Sequence, residues 1–311
     1  MCPREAQFYY IFTLHFIAGI SIPINALGLY LVFKHSQKQS KYHYCQLYLQ
    51  ITSFTTELYM SWIAPGYYYF PIPAGYNTSE ITSSFISTHT SVVFYVLILS
   101  FELPSIVLCF QYRNHLAAEL SVVDRLPLVF TYIMTFLGHI FPFVNSFVMS
   151  ISATTHKEVD DYLQKNYPEC IHLLEIPGFV LYDYDSNRWL VFLGAYAVIN
   201  SVIFGGYLIL LATHTIRILN KMKVHMSPAT YKNHIASLFA ITLQCVIPVT
   251  FLIVPVIIIL VIFLKNWLEM QELATDTMFL ITAHSLAATI VMIVCNGRYR
   301  KDIVGKVSWQ V

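Results

Sequence analysis

Apolar residues run in seven long blocks, at about 8–33, 45–69, 89–112, 126–151, 189–213, 235–264 and 277–295. A helix needs roughly 20 apolar residues to cross a ~30 Å hydrocarbon layer. No Lys or Arg interrupts any block. A membrane β-barrel instead shows short alternating segments, and these runs are apolar on all sides. They predict an all-α membrane protein, a seven-transmembrane helix bundle forming one domain over 1–311. The first block is longer than a signal-peptide core, and no small-x-small cleavage pattern follows it. It is expected to be a retained span.

Composition supports that class. Of 311 residues, 11% are charged and 57% hydrophobic, against the ~25% charge usual in soluble domains. Disorder is excluded, because it needs low hydrophobicity and high net charge. The net charge of +1 carries no information, but its distribution does. Thirteen of the eighteen Lys and Arg fall in 34–44, 113–125, 214–234 and the tail 296–311. Cytoplasmic loops hold the excess of basic residues, so the N-terminus is expected outside and the C-terminus in the cytoplasm. Asn77-Thr78-Ser79 is a glycosylation sequon in a loop this assigns outside. Cys2 and Cys170 are the cysteines in aqueous segments of that side, where disulfides persist. They are a possible pair, which spacing does not establish.

The longest connection, 152–188, carries Glu158, Asp160, Asp161, Glu169, Glu175, Asp183 and Asp185. It reads either as a solvated loop or as a screen that attracts cations to the mouth of the bundle. Residues 70–76, Phe-Pro-Ile-Pro-Ala-Gly-Tyr, combine fixed φ at two prolines with a glycine turn, so a rigid cap is expected. Tyr67, Tyr68 and Tyr69 before it read as an aromatic belt at the membrane interface, ahead of the alternative of a ligand cage.

Two carboxylates, Glu57 and Glu102, lie inside spans, where a charge costs roughly 2.5–3.5 kcal/mol. Each must face the bundle interior, be protonated, or both. They are candidates for a ligand contact or a polar switch, with Asn145, Asn200 and Gln244 beside them. Asn25, His139 and His284 read as interhelical hydrogen-bonding groups. Pro248 and Pro255 in the sixth span make it a candidate hinge. On the cytoplasmic side, Tyr112 and Arg113 end the third span. Arg217, Lys221, Lys223 and Lys232 form a basic loop without an acid, suited to anionic lipid or an acidic signalling partner.

No hydrolase, nucleotide-loop or zinc-protease motif occurs. No metal site, cofactor, catalytic residue or nucleic-acid module is expected. The chain is read as a non-enzyme.

The chain resembles nematode serpentine chemoreceptors of class i (Sri), with the related class h (Srh) beside it. The resemblance rests on FYYIFTLHFIAGISIPINALGLYLVF at 8–33, KYHYCQLYLQI at 41–51, FPIPAGY at 70–76, FQYRNHL at 110–116 and AHSLAATIVMIVCNGRYRK at 283–301. It implies a G-protein-coupled receptor at the plasma membrane of sensory-neuron cilia. Its partners would be a small odorant or pheromone-like ligand within the bundle and a heterotrimeric G protein. The resemblance implies that Arg113 carries over as the ionic-lock-like position. The chain departs from the rhodopsin-like pattern: Asp-Arg-Tyr is missing at 111–113, Asn-Pro-x-x-Tyr does not close the seventh span, and no Cys opens the third. The alternatives are a multi-span transporter, which repeats would support, and a ligand-gated channel subunit, for which Glu57 and Glu102 would supply pore acids.

Overall fold

The computed structural model describes residues 6–34, 42–119 and 125–307. Helix α1 is Phe8–Lys34. Helix α2, Tyr42–Leu58, runs on through a wide π turn at Tyr59–Ile63. After strands β1 (Gly66–Tyr68) and β2 (Ala74–Asn77) comes the short α3, Glu80–Phe85. The third apolar block is two helices, α4 (Thr88–Ser100) and α5 (Glu102–Glu119), and α6 is Leu128–Ser150.

The long connection holds α7 (His156–Asn166), a tight 3₁₀ segment at Pro168–Glu175 and strand β3 (Val180–Leu181). Two long helices follow, α8 (Arg188–Met222) and α9 (Pro228–Lys265). The chain closes with α10 (Gln271–Asp276), α11 (Met278–Cys295) and α12 (Gly297–Val307).

Among the described residues, six helical segments are long and apolar enough to cross a membrane. They are α1, α4 with α5, α6, α8, α9 and the segment Leu268–Cys295. The remaining bundle member, α2, packs between α1, α5 and α11. It is less apolar because Gln46, Gln50, Ser53 and Glu57 recur at helical spacing on one buried face. Polarity is arranged for lipid: Phe12, Phe136, Phe147, Ile203, Ile209 and Ile257 point outward, while Asn25, Glu57, Glu102 and His284 are inside. Polar groups in hydrocarbon must find partners within the bundle.

The break in the third span has a specific cause. Proline lacks the N–H that an α-helix needs, so Pro104 leaves the Ser100 carbonyl without its amide partner. At the joint the Phe101 N–H donates to the Ile98 carbonyl at 3.1 Å, and the Ser105 N–H to the Phe101 carbonyl at 3.3 Å. Pro248 and Pro255, the candidate hinge positions, both lie inside α9.

One end of the bundle carries a lid. Strands β1, β2 and β3 form an antiparallel sheet in that order, with Tyr67 opposite Tyr76 and Gly75 opposite Val180. Under it pack Tyr69, Ile72, Leu163, Cys170, Leu173 and Leu181. Tyr67 and Tyr69 are therefore buried in the lid core instead of lying in an interfacial belt, and Tyr68 between them takes the opposite face. Strand alternation explains this division.

Two of the loop's acids build the lid itself. Glu158 closes a capping box on α7 with Thr155, and these hydrogen bonds hold its carboxyl below the usual carboxylate range. Asp183 accepts from the Asp185 and Ser186 amides at 2.9 and 3.4 Å. Cys170 is disulfide-bonded. Cys2 lies outside the described residues.

Candidate functional site

A cavity of about 310 Å³ lies beneath the lid. Tyr68, Phe70 and Tyr76 of the first lid loop, Tyr182 after β3, Tyr59 of the π turn and Tyr95 of α4 face it, with Asn77, Ser91 and Val92 among them. Among the described residues, no Asp, Glu, Lys, Arg or His lines it. Tyr68 fits because β1 and β2 contribute glycines where its ring lies. A Cβ at Gly66 would sit 2.6 Å from the Tyr68 hydroxyl oxygen, and one at Gly75 would meet both the Tyr67 carbonyl and the Tyr68 ring. Burial lifts the Tyr68 phenol to about 12, so it stays protonated at neutral pH. The Tyr59 hydroxyl donates to the Ser91 carbonyl at 3.0 Å.

Asn77, the sequon asparagine, is only 7% exposed. Its Oδ1 accepts from the Ser79 N–H at 2.9 Å, while its Nδ2 makes a long 3.5 Å contact with Ser91 Oγ.

Deeper in the bundle, three polar stripes meet: Ser21 and Asn25 on α1, Gln50 and Glu57 on α2, Ser285 and Thr289 on α11. Asn25 is the hub. Its Oδ1 accepts from Gln50 Nε2 at 2.8 Å, from Ser285 Oγ at 3.2 Å and from the Thr289 hydroxyl. Its Nδ2 donates to Ser21 Oγ at 2.6 Å. Glu57, 1% exposed, accepts the Leu286 backbone N–H at 2.8 Å and lies 3.5 Å from Asn25 Nδ2. The close approach of α1 and α11 depends on Gly28, where a Cβ would stand 2.6 Å from Thr289 Cγ2.

Glu102 opens α5 just past the break and is 4% exposed. Its Oε1 lies 2.7 Å from Nε2 of the fully buried His284. The other ring nitrogen, Nδ1, is 2.6 Å from the Ile281 carbonyl, which can only accept. Nδ1 therefore carries a proton, and one more proton is held between Nε2 and the carboxyl. A shared-proton pair thus joins the third span to the seventh.

Of the other sequence candidates, Asn145 donates to Ser100 Oγ at 3.0 Å and anchors α6 to the break. Gln244 borders a void of about 10 Å³ shared with Gln50, Ser53, Ser285 and Thr289, room for about one water. Asn200 is not brought into this cluster, since its amide donates to the Tyr196 carbonyl of its own helix at 2.8 Å.

At the opposite end, the Arg113 guanidinium lies 3.6 Å from the centre of the Tyr42 ring. Its Nε has no hydrogen-bond partner among the described residues. Tyr112 stacks on the same Tyr42 ring at 6.0 Å. Gln111, two residues before the arginine, donates to the Tyr207 hydroxyl at 3.0 Å and accepts from Thr135 Oγ1 at 2.9 Å. Arg217, Lys221 and Lys223 are exposed at the end of α8 and just beyond it, with Lys223 Nζ 5.5 Å from the Tyr231 ring centre. Lys34 closes a 2.5 Å ion pair with Asp302, joining α1 to α12.

Reading the sequence for charge finds Glu57 and Glu102 and reads Asn25 and His284 as interhelical hydrogen-bonding groups, as they are here, but it does not point to Gln50, Ser285 or Thr289. The available signal was the helical spacing of small polar residues on α1, α2 and α11. Nothing comparable announced the cavity, whose lining comes from several separate segments.

A family model described as serpentine type 7TM GPCR chemoreceptor Sri matches residues 1–303. No curated protein matches the chain.

Proposed function

The chain belongs to the serpentine 7TM GPCR chemoreceptor family Sri, and from that membership we propose that it binds a small molecule in the lid cavity and activates a heterotrimeric G protein at the opposite end. The observation that carries this reading is the placement of the cavity. It holds about 310 Å³ between the lid and α4, at the low end of the range for ligand pockets. Its floor helix, α4, runs straight into the joint where Glu102 meets His284. A ligand shifts a receptor only by binding one arrangement better than another. A pocket wall continuous with a buried polar contact gives such a difference a route.

On this reading the lid end is extracellular, consistent with the placement of basic residues. The cytoplasmic end presents Tyr112, Arg113, Arg217, Lys221 and Lys223 to the G protein. Glu57, Glu102 and Gln244 act as the polar switch, with Asn145 holding the joint. The receptor sits in the plasma membrane, and sensory cilia are the expected site.

The test co-expresses the receptor with a promiscuous Gα and screens volatile and water-soluble odorants by nucleotide exchange. At least one compound should give dose-dependent exchange that is lost in Val92→Trp, which fills the cavity. Ligand-evoked current with no G protein present would sink the proposal in favour of a channel.

A further inference from the structure

We infer that the lid cavity selects neutral, largely apolar molecules of about a dozen non-hydrogen atoms that carry one acceptor oxygen, and that Asn77 is a donor to that oxygen. The inference rests on the receptor reading for its biological meaning, but its own test is one of binding.

Size comes first. An apolar cavity of about 150 Å³ accommodates benzene, so about 310 Å³ suits roughly twice that number of atoms. Charge comes next. Among the described residues, the lining holds no ionisable acid or base beyond tyrosine, and an ion buried without a partner forfeits its hydration. An anion would find no cation here, and an ammonium would find no carboxylate.

Hydrogen bonding narrows the class further. Among the described residues, no hydrogen bond is made by the Tyr68 or Tyr95 hydroxyl, and both residues line the cavity. Asn77 has its acceptor Oδ1 occupied by the Ser79 amide, while its Nδ2 has only the 3.5 Å contact to Ser91. The under-used groups are therefore two hydroxyls and an amide N–H, a set rich in donors. A ketone, ester, ether or alcohol oxygen complements that set, because each can accept from it.

The same geometry bears on the sequon. The Nδ2 that would carry a glycan points into the cavity wall, so Asn77 in the folded receptor serves the pocket and stays unmodified.

The experiment measures saturable binding to the full-length receptor in lipid nanodiscs, with empty discs as blank. The probes are a matched set: acetylnaphthalene, ethylnaphthalene, naphthoate and naphthylmethylammonium. Acetylnaphthalene should bind about threefold to tenfold more tightly than ethylnaphthalene, the worth of one net hydrogen bond. The two ions should bind about a hundredfold more weakly or worse. Val92→Trp should abolish binding. Asn77→Leu should remove the preference for the ketone, and Tyr95→Phe, a gentler change, should reduce it.

N-glycanase should leave the gel mobility of the receptor unchanged; a mobility shift overturns the role given to Asn77. Equal or tighter binding of either ion overturns the ligand class, as does ketone binding that survives Val92→Trp or no ketone binding at all. If charged odorants alone drive nucleotide exchange, the ligand class falls and the receptor reading stands. If the ketone binds as described but no compound ever drives exchange, the reverse holds.

Discussion

Gly28→Ala places one methyl group where α1 meets α11. The new Cβ would lie 2.6 Å from Thr289 Cγ2 and 3.1 Å from Met292 Cε, against a comfortable carbon separation of about 3.5–4.0 Å. Met292 can bend away at its flexible end. Thr289 cannot turn freely, because its hydroxyl is held by Gln50 and Asn25. Either the two helices separate by about 1 Å or the hydroxyl leaves its partners. Overpacking of this kind costs about 1–3 kcal/mol, and a lost hydrogen bond adds about 1 kcal/mol. Against this, replacing a helical glycine by alanine returns up to about 1 kcal/mol.

The net expectation is a loss of about 1–3 kcal/mol, read as a fall of roughly 2–6 °C in the thermal midpoint of detergent-purified protein at one fixed scan rate. The decisive arm is Thr289→Ser, which deletes Cγ2 and keeps the hydroxyl. The double variant should lie within about 1 kcal/mol of Thr289→Ser alone, which is strong non-additivity between neighbours. A Gly28→Ala receptor as stable as the parent, or a double variant whose losses simply add, would refute the close helix contact.

Three further outcomes are expected. Removing either member of the Glu102–His284 pair alone (Glu102→Leu or His284→Leu) should destabilise by about 3–5 kcal/mol, because the survivor is buried without its partner. The double variant should cost less than the two singles combined, and additive midpoint shifts would show that the pair does not interact. Arg113→Ala should lower nucleotide exchange while leaving cell-surface amount unchanged, and normal exchange in that variant removes the role given to Arg113. Cys45, Cys109, Cys245 and Cys295 are free while Cys170 is bonded. Peptide mapping without reduction should therefore recover Cys170 joined to Cys2, and recovery of alkylated Cys2 from unreduced protein would exclude that pairing.

How much of this was legible in the sequence follows from range. Span length and basic asymmetry are properties of contiguous chain, and the helical bundle could be read from them directly. The burial of Glu57 and Glu102 could also be read, because an acid in an apolar run has few places to go. Their partners were harder. His284 lies 182 positions from Glu102, and no local pattern announces that those two span faces meet. Tyr67, Tyr68 and Tyr69 look alike in a hydropathy plot, but strand alternation divides them between lid core and cavity. The sequon at Asn77 is a local motif whose local reading points outward. The hairpin leaves that residue only 7% exposed, which the motif alone does not announce.

The broken third span ties these pieces together. Ser91, Val92 and Tyr95 lie on α4, with the cavity. Glu102 and Arg113 lie on α5, with the polar contact and the far end. Two rods meeting at Phe101 can change their angle, whereas one continuous helix transmits only small translations. Pro104→Ala supplies the missing N–H, so the Ser100 carbonyl regains an amide donor four residues on and the span tends to straighten. Acetylnaphthalene binding should change by less than about threefold, since no cavity residue is touched. Ligand-driven nucleotide exchange should fall by about tenfold, an effect of about 1.4 kcal/mol on the active arrangement. Unchanged exchange with intact binding would mean that the angle at Phe101 is static and that the signal crosses the bundle by another route.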